Sequence, residues 1–286
     1  MRITKTAALA AVAVLALSAC KQNTNASENT TTTTTTESSS NAAASAEGGD
    51  AINGTWKTDL ASIKIDSKPD QFLLKDGKFS CSTCTPPIAV AADGAFHAVD
   101  RPYADHMSVK VNDDHNVTRT NQKGGKTTFQ QKFTVSPNGN TLTSNFTDMS
   151  GVKTVTGTFV EKRVGPAPAG AHAMSGAWQA DRPTNVSDEG LTVTLAADND
   201  MLHMKSPAGQ SYDAKLDGTE TPINGDIGGT TVSVKKLAPG SYQETDKRGG
   251  KVTDVITMTV GADGKLSIKD ENKLDGSTST SVANKQ

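Results

Sequence analysis

The chain contains two tryptophans, and both stand in the same short setting, Gly54-Thr55-Trp56 and Gly176-Ala177-Trp178. Further landmarks follow in the same order. Asp93-Gly94 is answered by Asp217-Gly218, Met107-Ser108-Val109-Lys110 by Val232-Ser233-Val234-Lys235, Gly124-Gly125-Lys126 by Gly249-Gly250-Lys251, and Pro137-Asn138-Gly139 by Ala262-Asp263-Gly264. Offsets that stay between 122 and 125 across a whole unit mark a duplication with small loop insertions. Whatever one copy folds into, the other should fold into as well. A hydrophobic fraction of 34% suits two small cores better than one large one. The copies span 51–164 and 175–286, and the proline- and glycine-bearing stretch 165–174 reads as a short semi-rigid linker between them.

Within each copy the apolar period is two. Leu191, Val193 and Leu195 alternate with threonine, as do Ile256, Met258 and Val260, while Met107, Val109 and Val111 alternate with polar residues. Such segments are half-buried strands. Turn signals separate them: Gly124-Gly125, Asn138-Gly139, Asp217-Gly218, Gly249-Gly250, Asp263-Gly264 and Asp275-Gly276, with Asp93-Gly94 read the same way. Roughly eight to ten short strands per copy are expected at this spacing. Many hairpin-linked strands manage their edges best by closing. The predicted fold is all-β, with two tandem antiparallel up-and-down barrels; a sandwich is the alternative.

The amino terminus carries an address. Arg2 and Lys5 precede an apolar run, Ala7 to Leu17, that is shorter than the roughly 20 residues of a spanning helix. The run ends in Leu17-Ser18-Ala19-Cys20, which resembles the lipobox of bacterial lipoproteins. The resemblance implies a signal peptide over 1–19 and a mature chain held in the membrane through acyl chains on Cys20. At about 0.8 kcal/mol per buried CH₂, two or three such chains anchor a protein firmly. Lys21 stands where an aspartate would retain a lipoprotein at the inner membrane of enteric bacteria, so the resemblance points to the outer membrane, facing the periplasm. Residues 20–50 include a threonine tract from Thr30 to Thr36 and have almost nothing apolar to bury, which reads as a flexible tether.

A Gly-x-Trp on the first strand of an antiparallel barrel resembles the lipocalin signature. In that family the tryptophan closes the barrel base and a basic residue near the last strand lies on its face. Trp56 and Trp178 are the matching tryptophans, and Arg163 and Lys285 the matching cations. Nearly the whole mature chain, including Cys81-Ser82-Thr83-Cys84-Thr85-Pro86-Pro87, is similar to bacterial lipoproteins with tandem lipocalin-like domains, a resemblance that brings no activity with it.

Chemistry is sparse. Twenty-nine basic against 31 acidic side chains leave a net charge of −2, which offers nucleic acid no attractive field, and 4% aromatics offer few stacking platforms. With Cys20 lipidated, Cys81 and Cys84 remain, and an oxidising compartment favours a structural disulfide over a redox pair. His97, His106 and His115 share their copy with these cysteines, but His115 sits in an apparent turn and nothing makes the three converge on a metal. His172 in the linker and His203 on a strand have no visible partner. Gly124-Gly125-Lys126-Thr127 has the look of a phosphate loop, but its counterpart Arg248-Gly249-Gly250-Lys251 makes it a basic hairpin. Asp113-Asp114 and Asp198-Asn199-Asp200 read as solvated turns. The sequence holds no nucleophile elbow, zinc helix or calcium loop, so neither an enzyme nor a cofactor is expected.

Two functions fit. The first is a non-catalytic binding module that holds a small apolar molecule in the barrel interiors or in the groove between the copies, with Leu191, Val193, Leu195, Ile256 and Met258 among the lining candidates. The second is a structural or interaction module whose solidly filled barrels meet another envelope protein. Filling of the barrels decides between them.

Overall fold

A computed structural model describes residues 49–286. The signal segment, Cys20, Lys21 and the threonine tract lie outside these residues. No helix among the described residues is long and apolar enough to cross a membrane.

Twenty-one strands and two single 3₁₀ turns make up the described chain. The first copy supplies β1 (Gly54–Thr58), β2 (Lys64–Asp66), β3 (Asp70–Lys75), β4 (Lys78–Cys81), β5 (Ile88–Ala91) and β6 (Asp93–Arg101). It continues with β7 (Ala104–Asp113), β8 (Asn116–Lys123), β9 (Lys126–Val135), β10 (Thr141–Asp148) and β11 (Val155–Val164). The second copy supplies β12 (Gly176–Val186), β13 (Thr192–Asp198), β14 (Met201–Lys205), β15 (Ser211–Lys215) and β16 (Thr221–Pro222). It ends with β17 (Thr230–Ala238), β18 (Ser241–Arg248), β19 (Lys251–Val260), β20 (Leu266–Asn272) and β21 (Thr278–Lys285).

These strands form two nearly closed antiparallel barrels. One sheet runs β5-β4-β3-β12-β11-β10-β9-β8-β7-β6, and β5 lies back against β6 and β7. The other runs β15-β14-β13-β1-β21-β20-β19-β18-β17-β16, with β2 beside β21. Its ends meet through bridges from Ser211 to Asn224 and from Asp217 to Lys235. The all-β, barrel-forming reading therefore holds. The glycine pairs at 124–125 and 249–250 turn β8 into β9 and β18 into β19 as predicted. Asp93-Gly94 makes no hairpin: it opens β6, where the pairing register slips between Asp93 and Phe96 and Gly94 takes φ 84°.

The sequence copies and the barrels do not coincide, because the two first strands change places. β12 follows β11 and pairs with it, then pairs with β3, so it completes the barrel of the first copy. β1 lies between β13 and β21, so it completes the barrel of the second. Residues 165–174 are accordingly the loop of a β11–β12 connection inside one barrel. Arg163 ties this loop down through donors to Ser175 O at 2.7 Å and Ala173 O at 2.6 Å. Adjacency explains the choice: a short loop delivers β12 directly to the edge of β11, and the slot left in the other barrel falls to β1.

The segment preceding β2 is sewn into that slot by side chains as well as by the ladder. Asn53 exchanges two hydrogen bonds with the Ala197 backbone, and Asp50 accepts from Lys236 and Tyr242 at 2.7 Å each. Ser62 Oγ meets the Val282 backbone 220 positions away.

Candidate functional sites in the barrel interiors

Each barrel has a tryptophan end. Trp56 and Trp178 are fully buried, and each indole Nε1 donates to a carbonyl four residues back, Ile52 O and Met174 O, at 2.8 Å. The cations foreseen for them are present, but across the copies: Arg163 Cζ lies 4.0 Å from the Trp178 ring centre and Lys285 Nζ 5.5 Å from that of Trp56. The geometry also explains the glycine of each motif. A Cβ on Gly54 would stand 2.4 Å from Lys285 Cε, and one on Gly176 would stand 2.6 Å from Arg163 Nη1. Glycine is the residue that leaves the cation room beside the ring, and both positions have positive φ.

Around these ends the apolar side chains fill the interiors. In the second barrel Leu195, Ile256 and Met258 join Trp56, Leu202, Tyr212, Val232, Val234 and Tyr242 in one core, with Val193 partly buried against it. Leu191 is buried just before β13 but lies outside that core. In the first barrel Phe72, Phe79, Phe133, Met107, Leu142 and Met174 surround Trp178. Val111, which continues the alternation of Met107 and Val109, points to solvent.

Cys81 and Cys84 form a disulfide whose sulfur-bearing side chains belong to the core of the first barrel. Arg101 pins the following segment by donating to Pro86 O at 2.6 Å and Thr85 O at 3.3 Å. Burial of both cysteines withdraws the bond from attacking thiolates. The histidines stay apart: His97 faces Asp93, His106 faces Asp105, and His115 approaches Val135 O in the β7–β8 turn. Among the described residues no three His, Cys, Asp or Glu side chains are arranged to hold a metal ion. Two histidines have partners that the sequence did not reveal. His172 Nε2 is 2.7 Å from Asp113 O, and His203 lies between Asp213 and Asp198, the Asp213 hydrogen bond raising its pKa above the ordinary value.

The unanticipated feature is the opposite end of the two interiors. In the first barrel, Arg119 is 1% exposed and its guanidinium lies 5.4 Å from the centre of Phe129 and 6.0 Å from that of Phe133. Its Nη2 donates to Gln131 Oε1 at 2.6 Å, and Gln131 donates onward to Ser144. Phe129 stacks on Phe146, which tilts against Phe159. Burial lowers the Arg119 pKa to about 9.

The second barrel puts carboxyls at the same places. The offset of 125 sets Glu244, Asp246 and Asp254 opposite Arg119, Asn121 and Phe129, and a turn one residue shorter sets Asp270 opposite Phe146. All four are buried, Glu244 and Asp270 being 2% and 4% exposed. Tyr212 Oη donates to Glu244 Oε2 at 2.7 Å, and Asn272 Nδ2 donates to Asp254 Oδ1 at 3.0 Å. Among the described residues no donor reaches Glu244 Oε1, Asp246 Oδ1 or Asp270 Oδ1. Desolvation by burial raises all four pKa values; Asp246 is raised well above the ordinary carboxylate range, and Asp270 is pushed up to about 8 with help from its acidic neighbours Asp254 and Glu244.

This end of the second barrel meets the first. Arg248 Nη2 donates to Tyr103 Oη at 2.7 Å and to Thr230 Oγ1 at 2.9 Å, and its guanidinium lies 4.9 Å from the Tyr103 ring centre. Lys123 reaches across to Ile227 O, and Val152 N donates to Ala208 O at 2.8 Å. No protein-family model, curated protein or solved structure matches the chain.

Proposed function

We propose that this is a lipid-anchored protein of the bacterial cell envelope, held through Cys20 at the periplasmic face of the outer membrane, whose paired barrels act as a non-catalytic interaction module. The observation that carries the second half of this reading is the filling of the interiors. Leu195, Ile256 and Met258, the residues best suited to line an apolar ligand, belong with Trp56, Tyr212 and Tyr242 to one continuous buried core. The near-complete burial of these side chains supports interiors filled by the protein itself rather than by an apolar ligand. Function then falls to the outer faces and to the tether that presents them. The first half rests on the lipobox-like Leu17-Ser18-Ala19-Cys20.

Two measurements test this. Metabolic labelling with a radioactive fatty acid in a bacterial host should mark the protein and lose the mark in Cys20→Ala; retained labelling would sink the anchor. Native mass spectrometry of the protein extracted from envelopes should give the mass of the acylated chain alone. A reproducible small-molecule adduct, identified by lipid extraction, would replace the interaction module with a carrier.

A further inference from the structure

We propose that the second barrel is a proton-operated switch, in which the four carboxyls crowded into one interior end hold that end closed while they share protons and loosen it as they ionise. The argument begins from hydrogen bonding. Asp246 on β18 stands directly opposite Asp254 on β19, and Glu244 and Asp270 stand on either side of Ile256 on the neighbouring strands, and carboxyls set side by side in this way bond to one another only when one of them carries a proton. Glu244 Oε1, Asp246 Oδ1 and Asp270 Oδ1 have no donor among the described residues. Ionised, these oxygens are buried charges without compensation; protonated, the carboxyls become donors themselves.

The groups facing the cluster reinforce this. On β18 and β19 they are Glu244, Asp246 and Asp254; on β20 and its following turn they are Asp270, Glu271 and Asp275; β15 contributes Tyr212. The cation acting on the cluster is Arg248, which bears on Asp254 and is also the residue that holds Tyr103 of the first barrel. Glu271 is at the surface, where Lys269 and Lys273 hold it ionised. The fold itself does not demand the acids, because the first barrel fills the corresponding positions with Arg119, Asn121, Phe129 and Phe146.

The sign follows from linkage. A carboxyl whose folded pKa lies above its unfolded one stabilises the closed state fully in acid, and that contribution is lost as pH rises toward the folded value. Opening then releases protons, so each such carboxyl raises the opening equilibrium constant up to tenfold per pH unit. The window runs from the ordinary carboxylate range to about pH 8, where Asp270 titrates.

Hydrogen exchange read by mass spectrometry on the unmodified full chain tests the idea, with rates corrected for the intrinsic pH dependence of exchange. Between pH 5.5 and 8, protection in β18–β20 should fall at least tenfold relative to β8 and β9, which contain no acidic residue and act as the internal reference. A constant ratio between the two barrels would overturn the proposal. The double variant Glu244→Gln, Asp270→Asn, which imitates the protonated pair, should flatten the response at least threefold; an unchanged response in that variant would overturn it as well.

Discussion

The two barrels share a backbone plan and differ in what fills one end. In the first, an arginine is sandwiched by phenylalanines and bonded to Gln131; in the second, the corresponding places hold four carboxyls, a tyrosine and an asparagine. The tryptophan ends, by contrast, are alike down to the indole hydrogen bond of 2.8 Å. The tryptophan end is thus what the two copies keep in common, and the opposite end is where they differ. An interior position that one copy fills with a ring and the other with an acid is fixed by something other than the architecture.

Substitutions can break this comparison, starting where the effect is greatest. Phe146→Asp places the residue type of position 270 in the first barrel, removing the stack on Phe129 and burying a charge. It should cost more than the about 3–5 kcal/mol of an aromatic truncation and unfold that barrel, which Trp178 fluorescence would report. Little change would mean that the phenylalanine group does not fill its end. Removing the disulfide with Cys81→Ser and Cys84→Ser should cost about 2 kcal/mol, as expected of a very short closed loop, and denaturant melts should confine the loss to the first barrel.

Smaller effects sharpen the contrast. Asp270→Asn should stabilise the second barrel by about 1–2 kcal/mol at pH 8 and leave it unchanged near pH 4, since the amide resembles the protonated acid. A gain that is equal at both pH values would break the link to ionisation. Lys285→Ala should cost only the about 0.5–1 kcal/mol of a partly exposed cation over a ring. Arg163→Ala should cost two to three times as much, because Arg163 also donates to three backbone carbonyls, at Gly139, Ala173 and Ser175. Equal losses in calorimetric melts would show that the ring contact outweighs the hydrogen bonds.

Much of the architecture is legible in the amino-acid sequence. The period of two, the glycine hairpins and the repeated Gly-x-Trp led to two barrels because each is a local rule about backbone and burial. Partner choice was not legible. Trp56 beneath Arg163 and Trp56 beneath Lys285 have the same local chemistry, so strand order had to come from chain connection. The acidic end was hidden for a different reason. In Tyr242-Gln243-Glu244-Thr245-Asp246 both faces are polar beyond the tyrosine, and alternation does not say which one is inside. The repeat held the missing signal: aligned with Val117-Thr118-Arg119-Thr120-Asn121, the inward set becomes Tyr242, Glu244 and Asp246.

The place of β1 has a consequence for how such a chain comes to be folded. Strands β3 to β12 are contiguous, so the first barrel has all its parts as soon as residue 186 has left the ribosome or translocon. The strand made earliest, carrying Trp56, must wait with an unsatisfied edge until β13 and finally β21 arrive, and Ser62 must wait for a residue 220 positions downstream. Contacts so distant in sequence form slowly. The order of synthesis and the order of assembly are thus reversed for β1 and for the β2 that follows it, and the first strands of the fold to be made are the seal on the last.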